Sequence, residues 1–361
     1  MTESAIKKTS IAIIIFTALV ALALYIDVPG KLRPPVASDT SADTLVSYLD
    51  GAVVRWIIPN NPGGGYDEYA RLIAPYFEKY SGARVRLRNI PGSGGMRAMG
   101  ELFKSPDDGL TIAIVNGSGM VTSHIADVSN SEYQIGELSY LARVATGIRV
   151  LTLSVQSQHQ SFDDILNAQV PLKIGATGFG GSTFVDAVVS RDLFGLNMNV
   201  IYGFNNSSAM RQEMLRGNID GTWSSWGSVL NQVKSGHARV VLQGGRARNA
   251  ALPEVPTVFE FIDKIPDPLP ARDILNAWTA LQAIGRCIAA PPGLPAARLR
   301  VLREVFKQAL NDPQFLEDAA KARRVINYAP GEQIELLITE TLDMPAEIRQ
   351  FFINSARSEL Q

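Results

Sequence analysis

The stretch Val53-Val54-Arg55-Trp56-Ile57-Ile58-Pro59-Asn60-Asn61-Pro62-Gly63-Gly64-Gly65-Tyr66-Asp67-Glu68-Tyr69-Ala70-Arg71-Leu72-Ile73 decides how the rest of the chain is read. Its first six residues are apolar except Arg55 and suit a buried strand. Beyond it, Ala70, Ile73, Phe77 and Tyr80 recur at spacings of three and four, the period of a helix. Between strand and helix lie prolines, asparagines and three successive glycines. Glycine lets a backbone turn tightly and approach a ligand closely. The helix that follows offers unpaired N–H groups and a partial positive charge at its start. Pro75 falls inside the helix, where a kink is expected.

The same design appears three more times: Asn89-Ile90-Pro91-Gly92-Ser93-Gly94-Gly95, Gly175-Ala176-Thr177-Gly178-Phe179-Gly180-Gly181-Ser182-Thr183 and Tyr202-Gly203-Phe204-Asn205-Asn206-Ser207-Ser208. Short apolar runs predict strands at Val53–Ile58, Val85–Ile90, Leu110–Val115, Val150–Val155, Leu172–Ala176, Asn199–Tyr202 and Arg239–Gln243. Helical patterns between several of them, such as Val185, Val188, Val189 and Leu193, give βαβ units and an α/β fold with a mainly parallel sheet. From Pro295 onward the pattern is helical, with breaks at Pro313 and Pro330-Gly331. In open α/β sheets such loops gather at the carboxyl ends of the strands, where ligands bind. Together they would form an anion site that requires no Lys or Arg. One loop alone reads equally well as a tight turn with a helix cap, and Thr183-x-x-Asp186 fits a capping box.

Composition narrows the function. The 361 residues are 46% hydrophobic and 19% charged, enough for a large core and about two domains. Lys plus Arg is 34 against Asp plus Glu 35, a net charge of -1 that argues against nucleic acid as a partner. One cysteine, Cys287, excludes an intrachain disulfide framework, and three scattered histidines lack metal-ligand spacing. Neither a metal centre nor a cofactor is expected. Enzyme motifs are also missing: there is no G-x-S-x-G, no Walker lysine and no complete G-x-G-x-x-G, since Thr183 takes the last glycine's place. Asp107-Asp108 reads as a turn, Asp163-Asp164 as a helix start and Cys287 as a buried, inert thiol. Trp223 and Trp226 would either wall a cleft or pack in a core. A non-enzyme is expected.

At the N-terminus, Lys7 and Lys8 precede an apolar run from Ile11 to Ile26, about 24 Å long as a helix and shorter than a bilayer core. It reads as a signal peptide with a cleavage site near Ala21-Leu22-Ala23, as an uncleaved anchor in the inner membrane, or as a buried helix. Residues 1–26 are thus a targeting segment and 27–52 a flexible spacer rich in Pro, Ser, Asp and Thr. A periplasmic location is expected.

The ordered set of motifs resembles the extracytoplasmic solute receptors of the tripartite tricarboxylate transporters, the Bug-type periplasmic binding proteins. The strand and glycine turn from Val53 to Leu72 look like that family's opening motif. Asn89, Pro91-Gly92 and Gly94-Gly95 match the next, and Pro106-Asp107-Asp108-Gly109-Leu110-Thr111 the turn and strand after it. Gly175-x-Thr177-Gly178-x-Gly180, Leu252-Pro253-Glu254-Val255-Pro256-Thr257 and Ala290-Pro291-Pro292-Gly293-x-Pro295 are similar to the later ones.

The resemblance implies a two-lobed type II periplasmic-binding fold with the ligand cleft between lobes. Crossing strands would fall near Val150–Val155 and Trp278–Ile288, giving lobe one at 53–153 plus 280–361 and lobe two at 154–279. It implies a receptor for a small organic anion, a carboxylate, held mainly by backbone amides and waters, with membrane transporter subunits as partners and a monomeric state; the alternatives are a membrane-tethered sensory or scaffolding protein with the same fold, or an enzyme acting on an anionic substrate in the cleft. By position, Asn61, Pro62, Gly63, Gly64, Gly65 and Asp67 would face the ligand from lobe one, with Asn116, Gly117 and Ser118 at a strand end. Thr177, Gly180, Gly181, Ser182, Thr183 and Tyr202 would face it from lobe two. The chain departs from the family at Ile201-Tyr202-Gly203-Phe204, where many members carry Pro-Tyr-Lys-Gly, and at Asn60-Asn61-Pro62 before the glycines.

Overall fold

A computed structural model of the chain describes residues 48–126, 134–146 and 148–360. All of them lie in one compact unit, Ala42–Gln361. The N-terminal apolar run and nearly all of the spacer lie outside the described residues. Among the described residues, no helix is long and apolar enough to cross a membrane.

In chain order the elements are β1 (Val53–Ile58), α1 (Gly65–Ser81), β2 (Arg84–Asn89), α2 (Met96–Phe103), β3 (Thr111–Asn116), α3 (Gly117–Ile125), β4 (Ser139–Ala145) and β5 (Arg149–Ser154). Then follow α4 (Phe162–Leu166), β6 (Leu172–Thr177), α5 (Ser182–Phe194), β7 (Met198–Phe204), α6 (Ser207–Leu215), β8 (Gly221–Ser225), α7 (Trp226–Lys234) and β9 (Ala238–Gln243). The chain closes with α8 (Pro268–Ile284), β10 (Arg286–Ala290), α9 (Ala296–Asn311), α10 (Pro313–Lys321), β11 (Ala329–Pro330), α11 (Gly331–Leu342) and α12 (Ala346–Arg357).

Two sheets result, one per lobe. The first has the order β11-β4-β10-β3-β1-β2 and the second β7-β6-β8-β5-β9. β1 pairs in parallel with β2 and β3, and β6 in parallel with β7 and β8, as the βαβ pattern predicts. β10 and β5 run antiparallel inside these sheets. The chain passes from the first sheet to the second between β4 and β5, and returns through α8 to β10. The segment 150–155, expected to cross between lobes, is largely a strand of the second sheet, and Trp278 lies in a helix.

α1 continues through Pro75 to Ser81 and ends on Gly82 in the left-handed conformation. Pro313 starts α10, with Asp312 capping it by accepting from the Gln314 and Phe315 amides. One face of the first sheet packs Trp56, Phe77 and Phe306 together, with Trp56 edge-on to both rings. A second core runs from Val115 and Cys287 of the first sheet to Leu151 and Ile174 of the second, by way of Phe184, Trp278 and Leu281. The lobes therefore share buried apolar surface on the side of α5 and α8.

Candidate functional site

Six parallel-strand-to-helix junctions, those after β1, β2, β3, β6, β7 and β8, meet between the two sheets. They enclose a cavity of about 50 Å³ lined by Asn60, Gly64, Gly65 and Tyr66, by Gly94, by Asn116, by Thr177, Ser182 and Thr183, by Asn206 and Ser207, and by Ser224, Ser225 and Ser228. The two remaining lining residues, Arg149 and Arg286, come from antiparallel strands. Register explains their position: Arg149 opens β5 opposite Ser225 at the end of β8, and Arg286 opens β10 opposite Asn116 at the end of β3. The start of an antiparallel strand lies at the same sheet edge as the ends of its parallel neighbours.

Five helices begin at this wall. Asn116 and Asn206 cap α3 and α6, accepting from the Gly119 and Ala209 amides at 3.3 and 2.9 Å. The N-caps of α1, α5 and α7 are Gly64, Gly181 and Ser225, and none makes a side-chain cap bond. Their first-turn N–H groups have no intrahelical partner. Each such terminus carries about half an elementary positive charge.

The lobes touch directly around the cavity. Ser208 Oγ donates to the Gly63 carbonyl at 3.0 Å, Asn206 Nδ2 to Pro62 at 3.4 Å, and Asn60 Nδ2 to Asn205 at 3.4 Å. Arg286 Nη2 donates to Ser225 Oγ at 3.0 Å. A space of this size holds a few waters at most.

The two arginines differ in their surroundings. Arg149 and Asp186 are both nearly buried, and Arg149 Nε donates to Asp186 Oδ2 at 2.5 Å. Asp186 also accepts from Trp278 Nε1 at 2.8 Å and Gln282 Nε2 at 3.2 Å, which ties β5, α5 and α8 together. Among the described residues Arg286 has no carboxylate partner; its guanidinium carbon lies 5.1 Å from the ring centres of both Tyr66 and Tyr69. Burial pushes the Tyr66 phenol above its ordinary value, against the pull of Arg286 and Arg149.

Of the expected site residues, the structure brings Gly64, Gly65, Asn116, Thr177, Ser182 and Thr183 to the cavity wall. Asp67 faces inward instead. It is buried and accepts from the Gly63 amide, Arg71 Nε and Asn89 Nδ2 at 3.1, 2.8 and 3.0 Å, so it fixes the first loop from behind. Burial alone would raise its pKa, but the bonds from Arg71, Asn89 and Gly63 outweigh it and hold the carboxyl below its usual range. Asn61, Pro62 and Gly63 form the loop tip, where the Pro62 and Gly63 carbonyls meet the other lobe. Gly117 donates to the Gly285 carbonyl, Ser118 Oγ donates to Asn116 Oδ1, and the Gly181 amide bonds Gly178; none of the three lines the cavity. A Cβ on Gly180 would strike Ser123 of the first lobe.

Tyr202 lies elsewhere, its ring against Phe179 and Phe184 and its hydroxyl donating to the Glu359 carbonyl at 3.3 Å. Thr183 is not a cap: its Oγ1 accepts from the Thr177 amide, and Asp186 is taken by Arg149. Trp223 is fully buried against Trp278, while Trp226 lines a neighbouring cavity.

The cavity residues beyond the expected contacts are Asn60, Tyr66, Gly94, Asn206 and Ser207, which belong to the glycine loops, and the three serines 224, 225 and 228 and both arginines, which lie outside them. The β8–α7 junction contains no glycine in Ser224-Ser225-Trp226, so a glycine search passes over it. The arginines did leave a signal. Each is the single charge at the head of an otherwise uncharged strand, Arg149-Val-Leu-Thr-Leu and Arg286-Cys-Ile-Ala-Ala.

Comparison with known proteins agrees with this geometry. The model of the tripartite tricarboxylate transporter family receptor matches residues 69–350. A UPF0065 protein from the tcbD-tcbE intergenic region of a Pseudomonas species is 24% identical over 323 residues, covering 88% of this chain and 92% of the relative. MatC from Rhodopseudomonas palustris, solved with bound malate, superposes with a TM-score of 0.68 at 16% identity, over 84% of this chain and 99% of that one. The periplasmic binding protein BugD superposes with a TM-score of 0.68 at 17% identity, over 84% and 97%.

Proposed function

Because the chain belongs to the tripartite tricarboxylate transporter family of receptors, we propose that it is a non-catalytic periplasmic receptor that captures a small, strongly hydrophilic carboxylate between its lobes. It works as a monomer, and its closed form is what membrane transporter subunits recognise. The single observation that carries this is the cavity wall. Three helices start there without side-chain caps, and the charged residues lining it are both arginines. Helix N-termini and cations together make an anion site. Eleven hydroxyl or carboxamide side chains and three glycines complete the lining, with no aliphatic side chain among them, so the solute is rich in hydrogen-bonding groups. The malate held by MatC is of that kind.

Catalysis lacks a proton carrier in this wall. Its titratable residues are Tyr66, Arg149 and Arg286, and the Tyr66 phenol is raised above its ordinary value. Among the described residues, the wall holds no carboxylate, imidazole, amine or thiol, the groups that carry most general acid–base steps. Solute binding drives closure only through its preference for the closed state. A thermal-shift panel of short carboxylates tests the reading. A cognate anion at about one hundred times Kd adds about 2.7 kcal/mol of stability. Absence of saturable stabilisation by every mono-, di- and tricarboxylate, hydroxylated or plain, would overturn it.

A further inference from the structure

We propose that Arg286 is a direct ligand contact, the cationic point of a two-point grip that makes this receptor select dianions over mono-anions. This rests on the anion-receptor reading above and goes beyond capture by backbone amides.

The guanidinium lies in the cavity wall and also borders the adjoining space lined by Tyr69, Trp226 and Arg324, so it is a partition rather than a sealed core group. Two aromatic faces and the bond to Ser225 fix it in place. Among the described residues, its Nε is buried with no hydrogen-bond partner and no carboxylate forms an ion pair with it. Arg149, by contrast, is neutralised by Asp186. Arg286 is also held against like charge. Its Nη2 would lie 3.6 Å from a Cβ on Gly65, at the start of α1, and it bonds Ser225, the N-cap of α7. A cation wedged between two positive helix ends is an arrangement that a bound anion relieves. Three uncapped termini supply about one and a half elementary charges, and Arg286 adds a full one. Against that total of about two and a half, a ligand of charge −2 leaves about half a charge uncompensated where a mono-anion leaves about one and a half. The α5 terminus and the Thr177–Thr183 pair belong to the other lobe, so one group of the ligand meets them while another meets Arg286.

The alternative is that Arg286 only bolts the lobes together through Ser225. Calorimetric titration of wild type, Arg286→Lys and Arg286→Gln with succinate, L-malate and the monoamide succinamate separates the two. Wild type should prefer the dianions over succinamate by about 10-fold or more. In Arg286→Gln, dianion affinity should fall about 10- to 100-fold while succinamate changes less than about threefold, erasing the preference. Arg286→Lys should recover part of it, since lysine keeps the charge without the planar fork. Equal loss for dianion and monoamide, or an unchanged preference in Arg286→Gln, would overturn the proposal and leave the receptor reading standing. Failure of every carboxylate in the wider panel to bind wild type would overturn both.

Discussion

Gly94 of the first lobe and Gly178 of the second lie backbone to backbone: a Cβ on Gly178 would fall 2.5 Å from the Gly94 nitrogen, and one on Gly94 2.8 Å from the Gly178 carbonyl oxygen. Both loops were recognisable as glycine turns, and their contact gives those glycines a common purpose. They let main chain of one lobe lie against main chain of the other. Gly94 also has φ +62°, the left-handed region that side chains disfavour.

Gly94→Ala should therefore obstruct closure. The ligand-free protein should lose about 1–2 kcal/mol from the strained backbone, while carboxylate affinity should fall more than about tenfold. Gly63→Ala is the control, since Gly63 has φ +81° but open space around its Cβ position. It should show the stability loss without the affinity loss. Small-angle scattering with saturating ligand should report a larger radius of gyration for Gly94→Ala than for wild type; equal radii and equal affinities would refute the closure role.

Much of the fold was legible because period and punctuation agree. Val53–Ile58 forms a strand over the very residues predicted, and the breaks at Pro313 and Pro330-Gly331 are where helices start. β4, β8 and β10 were harder to read. Ser139-Tyr-Leu-Ala-Arg-Val-Ala carries Arg143 in a buried run, Gly221-Thr-Trp-Ser-Ser is short and polar, and β10 runs into Trp278–Ile284, which is equally apolar. The site was half legible. Glycine marks where backbone must pass closely, and it found four of the six junctions. It does not mark which side chains an antiparallel strand delivers to the same edge, so Arg149 and Arg286 depended on register. Asp67 misled for a related reason: an acid in a ligand loop looks like a contact, and here it is the loop's anchor.

Asp186→Asn should be strongly destabilising. The substitution leaves the Arg149 guanidinium nearly buried and without its counter-charge, while Trp278 and Gln282 keep an acceptor. Breaking one side of a buried pair costs about 3–5 kcal/mol. Urea unfolding should show that loss. A double Arg149→Met/Asp186→Leu variant should recover much of it, because an apolar pair of similar volume removes the orphaned charge. Stability unchanged in Asp186→Asn would mean that water already reaches the pair.

Acid should destabilise the fold in a definite window. Bonds from Lys79 and Tyr80 hold the Asp312 carboxyl well below the usual carboxylate range, and Arg248 with the Thr257 amide brings Glu260 down to about 2. A depressed folded pKa contributes stability that is complete above the unfolded value, near 4, and is lost as pH falls through the folded one. The melting temperature should stay level from about pH 7 to 5 and drop below about pH 4. Asp312→Asn and Glu260→Gln should each start lower at pH 7 and fall less steeply, as read by circular dichroism. A slope identical to wild type in both variants would show that other carboxylates control the acid transition.

Cys287 provides a test of the central sheet that needs no ligand. It is the only cysteine, fully buried in β10 between β3 and β4, and its Sγ donates to the Ile284 carbonyl at 3.1 Å. Burial pushes the thiol up to about 12, so at pH 8 it is almost wholly protonated as well as covered. The thiolate is the reactive form, and both effects suppress it. An aromatic disulfide reagent at pH 8 should label nothing in the native protein and one thiol per chain in guanidinium chloride. Because β10 lies within the sheet that carries Arg286, native labelling should track opening of that sheet, and an anion that closes the lobes should slow it further. Rapid labelling of the native, ligand-free protein would mean that β10 is exposed and that Arg286 is not held at the cavity wall.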